Sequence, residues 1–267
     1  MHIAFISCKN PIFQCGISNY TFLLSEFLKK ANLQVNWVSL NSNSCLLKLS
    51  KNVPHAKYYS LQFAPFSWAK KGISGKKLLQ LGKALEAKKI HINFHEIWIG
   101  DYPSAKLKEK TIGWFQKREI LEFLKIAKPF WVTSSNSATL ARLRNAGVKA
   151  EYLYLFGNIP YSLSEQSKTS NEITVGFFGT LYEKFPFDIL AKSLNEISKS
   201  LDKTIHIIIM GRQREGEGLK EIYRISQKYC FSISQPGEQQ SKGISQEFQN
   251  CALGVSATQY EILGKSR

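Results

Sequence analysis

The chain has 267 residues, of which 43% are hydrophobic and 21% charged, a composition typical of a folded protein and too apolar for disorder. Its length fits one large domain or two modest ones, and no apolar run approaches the ~18 residues of a membrane span. The five cysteines form no Cys-x-x-Cys pair, so we expect neither a disulfide framework nor a zinc cluster. The first seven residues lack a cationic leader, which favours a cytoplasmic protein with reduced cysteines.

The net charge of +16 is concentrated in one part of the chain. Residues 1–160 hold 23 Lys and Arg against 8 Asp and Glu, a net charge of +15, whereas the remaining residues hold 13 against 12. A polar, serine-rich stretch without apolar periodicity follows this boundary. We therefore predict a basic N-terminal domain over residues 1–160, a linker over 161–172 and a second domain over 173–267.

Apolar runs and helical periodicity alternate along the first half. In chain order they predict a strand at 2–7, a helix from Ile17, a strand at 33–40, a basic helix at 74–89, a strand at 90–94, a helix at 115–127, a strand at 130–133, a helix at 137–146 and a strand at 152–156.

The second half repeats this alternation. Here the pattern predicts a strand at 173–178, a helix at 187–198, a strand at 204–210, helices at 219–228 and 245–249, and a strand at 252–256. The fold class that follows is α/β, with two Rossmann-like, doubly wound parallel sheets and a cleft between the carboxyl ends of their strands.

The loop between the first strand and the first helix is a candidate anion site. Gly16 allows the backbone to approach a ligand, and the helix N-terminus favours negative charge. The loop is not a Gly-x-Gly-x-x-Gly motif, and no acidic residue clearly ends the second strand, which argues against a nicotinamide cofactor. A tight turn without a ligand is the alternative.

His95 follows the strand at 90–94 and is the candidate catalytic residue. At the carboxyl end of a strand its imidazole would face a ligand, where proton transfer or orientation of substrate is useful. Glu96 could tune that imidazole, and Asp101 is a further acid nearby. His91, inside the strand, is interpreted as structural. The alternative for His95 is a structural histidine at a strand end, with its hydrogen bonds made within the fold.

Two loops of the second half are candidates for binding a diphosphate. Gly179 and Thr180 follow one predicted strand and Arg212 follows the next, and backbone amides with a planar guanidinium suit phosphate oxygens. The segment around Lys265 looks like the end of a Walker A loop. Gln259 stands where that motif requires its first glycine, so a P-loop is excluded.

The segment 68–89 sets leucines among many lysines. Such a helix suits an anionic lipid surface, and an ordinary surface helix with solvated lysines is the alternative. Nucleic acid ranks lower, because no RNP, KH, helix-turn-helix or zinc-finger pattern accompanies the charge. The lysines assigned to an acceptor or a membrane are Lys70, Lys71, Lys76, Lys77, Lys88 and Lys89.

Taken in order, these segments resemble a GT-B glycosyltransferase, close to the retaining family 4 group. The resemblance covers nearly the whole chain and rests on short motifs in a fixed order. These are 16–20 (Gly-x-x-x-Tyr), 95–98 (His-Glu-Ile-Trp), 132–134 (Val-Thr-Ser), 156–160 (Phe-Gly-Asn-Ile-Pro), 176–180 (Gly-Phe-Phe-Gly-Thr) and 210–212 (Met-Gly-Arg).

The resemblance implies an acceptor-binding first domain and a second domain that binds a nucleotide-sugar. Gly16, Gly179, Thr180 and Arg212 would approach the donor phosphates, and His95 would position donor or acceptor hydroxyls. No metal or other cofactor is required by this reaction, because its main demand is electrostatic stabilisation of the leaving diphosphate.

Three departures from the family pattern bear on the donor site. Cys15 replaces the first of two adjacent glycines, and Thr180 stands where an arginine is expected. Residues 261–267, which include Lys265 and Ser266, look like the start of the family's donor segment. We therefore expect a second domain that is cut short, with impaired donor binding.

The leading hypothesis is a glycosyltransferase of polysaccharide biosynthesis that uses a nucleotide-sugar donor and a glycan or lipid-linked acceptor. It would be cytoplasmic, with a possible peripheral position at the inner face of the membrane. The alternative is a catalytically inactive module that binds anionic lipid or a polyanionic glycan through its basic first domain.

Overall fold

The computed structural model describes most of the chain. The described residues are 1–7, 16–39, 55–69, 71–102, 105–157, 159, 161–162, 171–211 and 215–257. The chain divides into two compact units, Met1–Asn158 and Ile159–Leu263. Each unit contains a parallel sheet with helices, which confirms the predicted α/β class.

The first unit is built around a six-stranded sheet. Its strands are β1 (His2–Ser7), β2 (Gln34–Ser39), β3 (Tyr58–Phe63), β4 (Ile90–Phe94), β5 (Trp131–Ser134) and β6 (Glu151–Tyr152). They lie in the order β2-β1-β3-β4-β5-β6, and every neighbouring pair is parallel. The order reverses between β1 and β3, and doubly wound sheets bind ligands at the carboxyl ends of strands beside such a switch.

Helices pack on this sheet and supply its core. They are α1 (Gly16–Lys30), α2 (Pro65–Trp68), α3 (Lys76–Leu85), α4 (Leu107–Ala127) and α5 (Ser137–Asn145). Alternate residues of a strand point to opposite faces. Leu61 of β3 and Ile92 of β4 therefore share one apolar face, where they join Leu81 of α3 and Phe123 of α4 in a single buried cluster.

The basic helix α3 turns its apolar side toward the core. Leu78, Leu81 and Leu85 are at most 2% exposed and belong to the buried cluster. The leucines that the sequence analysis placed against a lipid surface are thus mostly buried in the core, and the exposed residues of this helix are Lys76, Lys77, Gln80 and Lys83. Among the described helices, none combines the length and the apolar character that crossing a bilayer demands.

The second unit contains a four-stranded parallel sheet. Its elements are β7 (Glu172–Phe178), α6 (Phe187–Leu201), β8 (Thr204–Met210), α7 (Glu217–Tyr229), β9 (Ser232–Gly237), α8 (Ser241–Asn250) and β10 (Leu253–Val255). The strand order is β10-β7-β8-β9, which places the reversal between β7 and β10. Val175 and Ile207 on the strands pack with Ala191 of α6 and Ile222 of α7 in the buried core.

Several elements differ from the sequence prediction. Strands β3 and β9 were not predicted, and the strand predicted at 152–156 is limited to Glu151–Tyr152. Helix α4 begins at Leu107 rather than at 115, because Glu109 accepts a hydrogen bond from the backbone N–H of Lys106 at 2.8 Å and caps the added turns. This hydrogen bond also lowers the pKa of Glu109.

Gly113 lets α4 approach the loop that follows β4. A Cβ atom at Gly113 would lie 1.8 Å from the carbonyl oxygen of Ile99, a distance that no side chain tolerates. The absence of a side chain therefore permits the helix to lie directly on this loop.

We expect Gly113→Ala to lower the free energy of unfolding by about 1–3 kcal/mol, the usual cost of forcing atoms into a packed interior. Urea unfolding measures the change. Gly243→Ala on α8 is the matched control, since its Cβ would lie at least 3.5 Å from other atoms and alanine favours helix. An unchanged unfolding free energy for Gly113→Ala would contradict the close approach of α4 to Ile99.

Candidate functional site

The structure places His95 at the carboxyl edge of the first sheet, directly after β4. Its backbone N–H donates to the carbonyl of Phe63 at 2.9 Å, so it also lies beside the end of β3. The Nε2 atom lies 2.8 Å from Oε1 of Gln62. The ring contacts Tyr20 of α1 edge to face, with 5.2 Å between centroids. His95 is thus bounded by a buried amide on one side and an aromatic ring on another.

Gly16 is the first residue of α1, the helix that carries Tyr20 to His95. Tyr20 also stacks on Phe156 at 4.8 Å, and its burial raises the pKa of the phenol. The predicted Gly-x-x-x-Tyr segment is therefore brought to the histidine within one unit. Among the described residues, which exclude 8–15, none would lie within 4 Å of a Cβ atom at Gly16, and the first turn of α1 holds no acidic side chain. A helix N-terminus of this kind favours an anion.

Polar side chains of three neighbouring strands form a closed ring beneath His95. Its bonds join Gln62 Nε2 to Ser60 Oγ (2.9 Å), Ser60 Oγ to His91 Nδ1 (3.0 Å), His91 Nε2 to Thr133 Oγ1 (2.8 Å), Thr133 Oγ1 to Asn93 Oδ1 (3.0 Å) and Asn93 Nδ2 to Gln62 Oε1 (3.1 Å). Of these residues, His91 was predicted to be structural and Thr133 lies in the 132–134 motif. Ser60 and Gln62 belong to a strand that was not predicted, although the alternation of apolar and polar residues over 59–63 is a signal that could have found it.

The loop after His95 is fixed by contacts from α4 and α5. Trp98 is 2% exposed and lies between two cations, with Lys117 Nζ 5.3 Å and the Arg142 guanidinium carbon 5.5 Å from the centroid of one of its rings. Asp101, which the sequence suggested as a further acid, accepts hydrogen bonds from the Trp98 indole and from Arg142 instead. Its carboxylate fixes the loop rather than serving as a nearby acid for His95.

Buried Gln116 of α4 fixes the same loop from another side. Its Oε1 accepts from the Ile99 N–H at 2.9 Å, and its Nε2 donates to the Lys71 carbonyl at 2.8 Å. Lys71 therefore lies on the same edge of the sheet as the loop that follows His95.

In the second unit, Gly179 and Thr180 follow β7 at the carboxyl edge of its sheet. Gly179 has a φ of +79° and Gly211, after β8, a φ of +89°, so both glycines occur where left-handed backbone turns the chain. The Gly179 N–H donates to the carbonyl of Met210 at 3.1 Å and is used within the fold. Thr180, which follows Gly179, is exposed.

The predicted lysines are divided between two edges of the first unit. Lys76 and Lys77 begin α3, close in sequence to Lys71 and therefore to the edge of His95. Lys88 and Lys89 lie beyond the other end of α3, at the amino edge of β4, over the rings of Tyr59 and Tyr58. The structure does not bring the five of these lysines that it describes into one patch. Lys70, Arg212, Lys265 and Ser266 lie outside the described residues.

His91 is a neutral member of the polar ring. Burial lowers its pKa from 6.5 to about 4, because the folded protein disfavours the charged imidazole. Between pH 6.5 and pH 4 the unfolded chain binds more protons at His91 than the folded chain does. The contribution of neutral His91 to the free energy of unfolding is therefore fully present above pH 6.5 and is lost as the pH falls toward 4.

We therefore expect acidification from pH 7 to pH 4 to cost about 3 kcal/mol of unfolding free energy through His91 alone. Urea unfolding at several pH values should show this slope in the unchanged protein and its loss in His91→Gln. The exposed His55→Gln is the matched control and should keep the slope. Equal slopes for the unchanged protein and His91→Gln would contradict a buried, neutral imidazole.

No family model and no curated protein matches this chain, but solved structures do match it. The Anabaena protein HepE in complex with UDP is 13% identical with a TM-score of 0.56, over 95% of this chain and 73% of that chain. The lipopolysaccharide outer core galactosyltransferase WaaB, in its apo form, is 12% identical with a TM-score of 0.55, over 95% of this chain and 73% of that chain.

A third similar structure is an alpha-glucosyltransferase in complex with UDP and a 13-mer DNA containing a HMU base. It is 8% identical with a TM-score of 0.57, over 95% of this chain and 71% of that chain. At these identities the likeness establishes the fold. The chain shares with these structures the GT-B fold, with two α/β units that each contain a parallel sheet, as its sequence motifs predicted.

Proposed function

We propose that this chain is a glycosyltransferase that moves a sugar from a nucleotide-sugar donor to a glycan or lipid-linked acceptor. The observation that carries the proposal is the arrangement around His95. An oriented imidazole and the N-terminus of α1 at Gly16 are joined through Tyr20 at the carboxyl edge of one sheet. Similar structures in complex with UDP and with UDP-glucose support a nucleotide-sugar as the donor.

Sugar transfer requires stabilisation of the leaving diphosphate and orientation of a sugar hydroxyl, and the residues around His95 can supply both. The bond from the sugar C1 to the donor phosphate breaks and leaves its electron pair on the departing diphosphate, a bond from C1 to the acceptor hydroxyl oxygen forms, and the hydroxyl proton passes to an oxygen of that diphosphate. Negative charge grows on the departing diphosphate, where helix N-termini and fixed donors are effective. We assign stabilisation of this charge to the N-terminus of α1 at Gly16, within the first unit, and assign no metal to the reaction. His95 orients a sugar hydroxyl.

UDP-glucose is the probe for the donor site. We expect it to raise the unfolding temperature of the full chain, since a ligand present at 100 times its Kd stabilises the folded state by about 2.7 kcal/mol. Gly16→Ala should keep the unfolding temperature of the free protein, because its Cβ meets no atom of the described residues within 4 Å, and should lose most of the ligand-induced rise.

Gly243→Ala is again the matched control and should respond to UDP-glucose as the unchanged protein does. The proposal is wrong if neither UDP-glucose nor other nucleotide-sugars bind the chain, or if they bind and no sugar is transferred to any glycan or lipid-linked acceptor. A Gly16→Ala variant that binds normally would remove α1 from the donor site and leave the second unit to account for binding.

A lipid-linked acceptor would bring an anionic membrane surface to the first unit, and we propose that Lys76 and Lys77 face it. These lysines support the proposal because they begin α3 on the side of the sheet edge that carries His95. Lys88 and Lys89, at the opposite edge, then have no part in this contact.

We expect Lys76→Glu with Lys77→Glu to weaken binding to phosphatidylglycerol-containing vesicles at least about tenfold, since each lysine near such a surface contributes about 1 kcal/mol. Vesicle sedimentation measures this. Lys88→Glu with Lys89→Glu carries the same charge change and is the matched control, with binding close to that of the unchanged protein. Equal losses for both pairs would contradict the assigned surface. Vesicle binding by a chain that binds no nucleotide-sugar would favour the inactive-module alternative.

A further inference from the structure

The direction of each hydrogen bond in the polar ring follows from which atoms can donate. Asn93 Oδ1 can only accept, so the single hydroxyl proton of Thr133 points to it. Thr133 Oγ1 must then accept from His91, which places a proton on Nε2 of that imidazole. The neutral ring of His91 accepts at Nδ1, from the hydroxyl of Ser60. Ser60 in turn accepts from the amide of Gln62.

Every bond of the ring therefore runs in the same sense. Asn93 Nδ2 closes it by donating to Gln62 Oε1, so each member donates to the next and accepts from the one before. Bonds aligned in this way polarise one another. Rotating the Gln62 amide alone would set its NH₂ group against Asn93 Nδ2 and its oxygen against Ser60, and the bonds on both sides would be lost.

The polar residues of the ring are shielded from water, which could otherwise replace a lost hydrogen-bond partner. Gln62, Asn93 and Thr133 are at most 2% exposed and Ser60 is 6% exposed. A buried polar group that loses its partner costs about 1–3 kcal/mol. The orientation of the Gln62 amide is accordingly fixed by its neighbours on β3, β4 and β5, not by His95.

We propose that Gln62 is a positioning residue for His95: its oriented amide oxygen keeps the imidazole proton on Nε2, so that Nδ1 is the ring nitrogen that accepts hydrogen bonds. The contact of 2.8 Å between Nε2 and Oε1 supports this, because an amide oxygen accepts from a protonated nitrogen only. Asn93 Nδ2 lies 3.3 Å from the same Nε2, and two donors do not bond, so Asn93 acts on His95 through Gln62. The role of His95 at the sugar rests on the proposed function, whereas the tautomer does not.

Nitrogen-15 NMR of the histidine rings tests the tautomer directly in the full chain, free of any ligand, at neutral pH. The protein has five histidines, and His91→Gln and His95→Gln assign the two rings of interest. We expect both His91 and His95 to be single Nε2–H tautomers. Gln62→Met removes the amide at similar volume, and the His95 spectrum should then lose its single-tautomer pattern.

Gln116→Met is the matched control, because Gln116 is an equally buried amide that fixes the loop at Ile99 without touching the ring. It should leave both tautomers as they are, even where it lowers the unfolding temperature. The proposal is overturned if both histidines carry the proton on Nδ1, which would mean that the whole ring runs the other way. It is also overturned if Gln62→Met leaves His95 unchanged, or if Gln116→Met alters His95 to the same extent.

These readouts separate the inference from the proposed function. Single Nε2–H tautomers that depend on Gln62, in a chain that transfers no sugar, would support the positioning role and refute the transferase. Sugar transfer by a chain whose His95 tautomer does not depend on Gln62 would support the transferase and refute the positioning role.

Discussion

Polar groups buried inside a sheet must bond to one another, and in the first unit this requirement links three strands. Ser60 lies beside His91 and Gln62 beside Asn93 in the register of β3 and β4, so each polar side chain faces a partner one strand away. A slip of one residue would send these side chains to the apolar face and leave them without partners. The ring therefore specifies the register, and the register sets His95 against Gln62 at the end of the sheet.

The architecture was accessible from sequence because apolar runs and amphipathic segments alternate clearly. The strands β1, β4 and β8 were predicted at their observed bounds. Strand β3 was not, although residues 59–63 alternate apolar and polar side chains; that alternation places Ser60 and Gln62 on a solvent face, whereas both are buried. Their burial is explained only by His91 and Asn93, which lie about thirty residues further along the chain. Pro236 in β9 likewise argued against a strand, although proline is compatible with an edge strand such as this one.

The candidate site divides in the same way. His95 and Gly16 could be identified because each follows a predicted strand, where ligands of such sheets bind. Their contacts could not, since Gln62 and Phe156 come from distant segments that folding brings together. The sequence also suggested one basic surface for lysines that the structure places apart. Lysines that are neighbours in the chain lie at opposite edges, because the ten-residue helix α3, about 15 Å long, runs between them.

The division of the lysines makes their contribution to binding depend on ionic strength. Most of the positive charge lies within residues 1–160, and its summed field reaches an anionic surface or ligand over about one Debye length. A flat surface can touch only one of the two edges at a time. The far edge lies about 15 Å away, beyond the Debye length of about 8 Å at physiological salt, so its lysines add to binding only at low ionic strength, whereas those near His95 contribute at both.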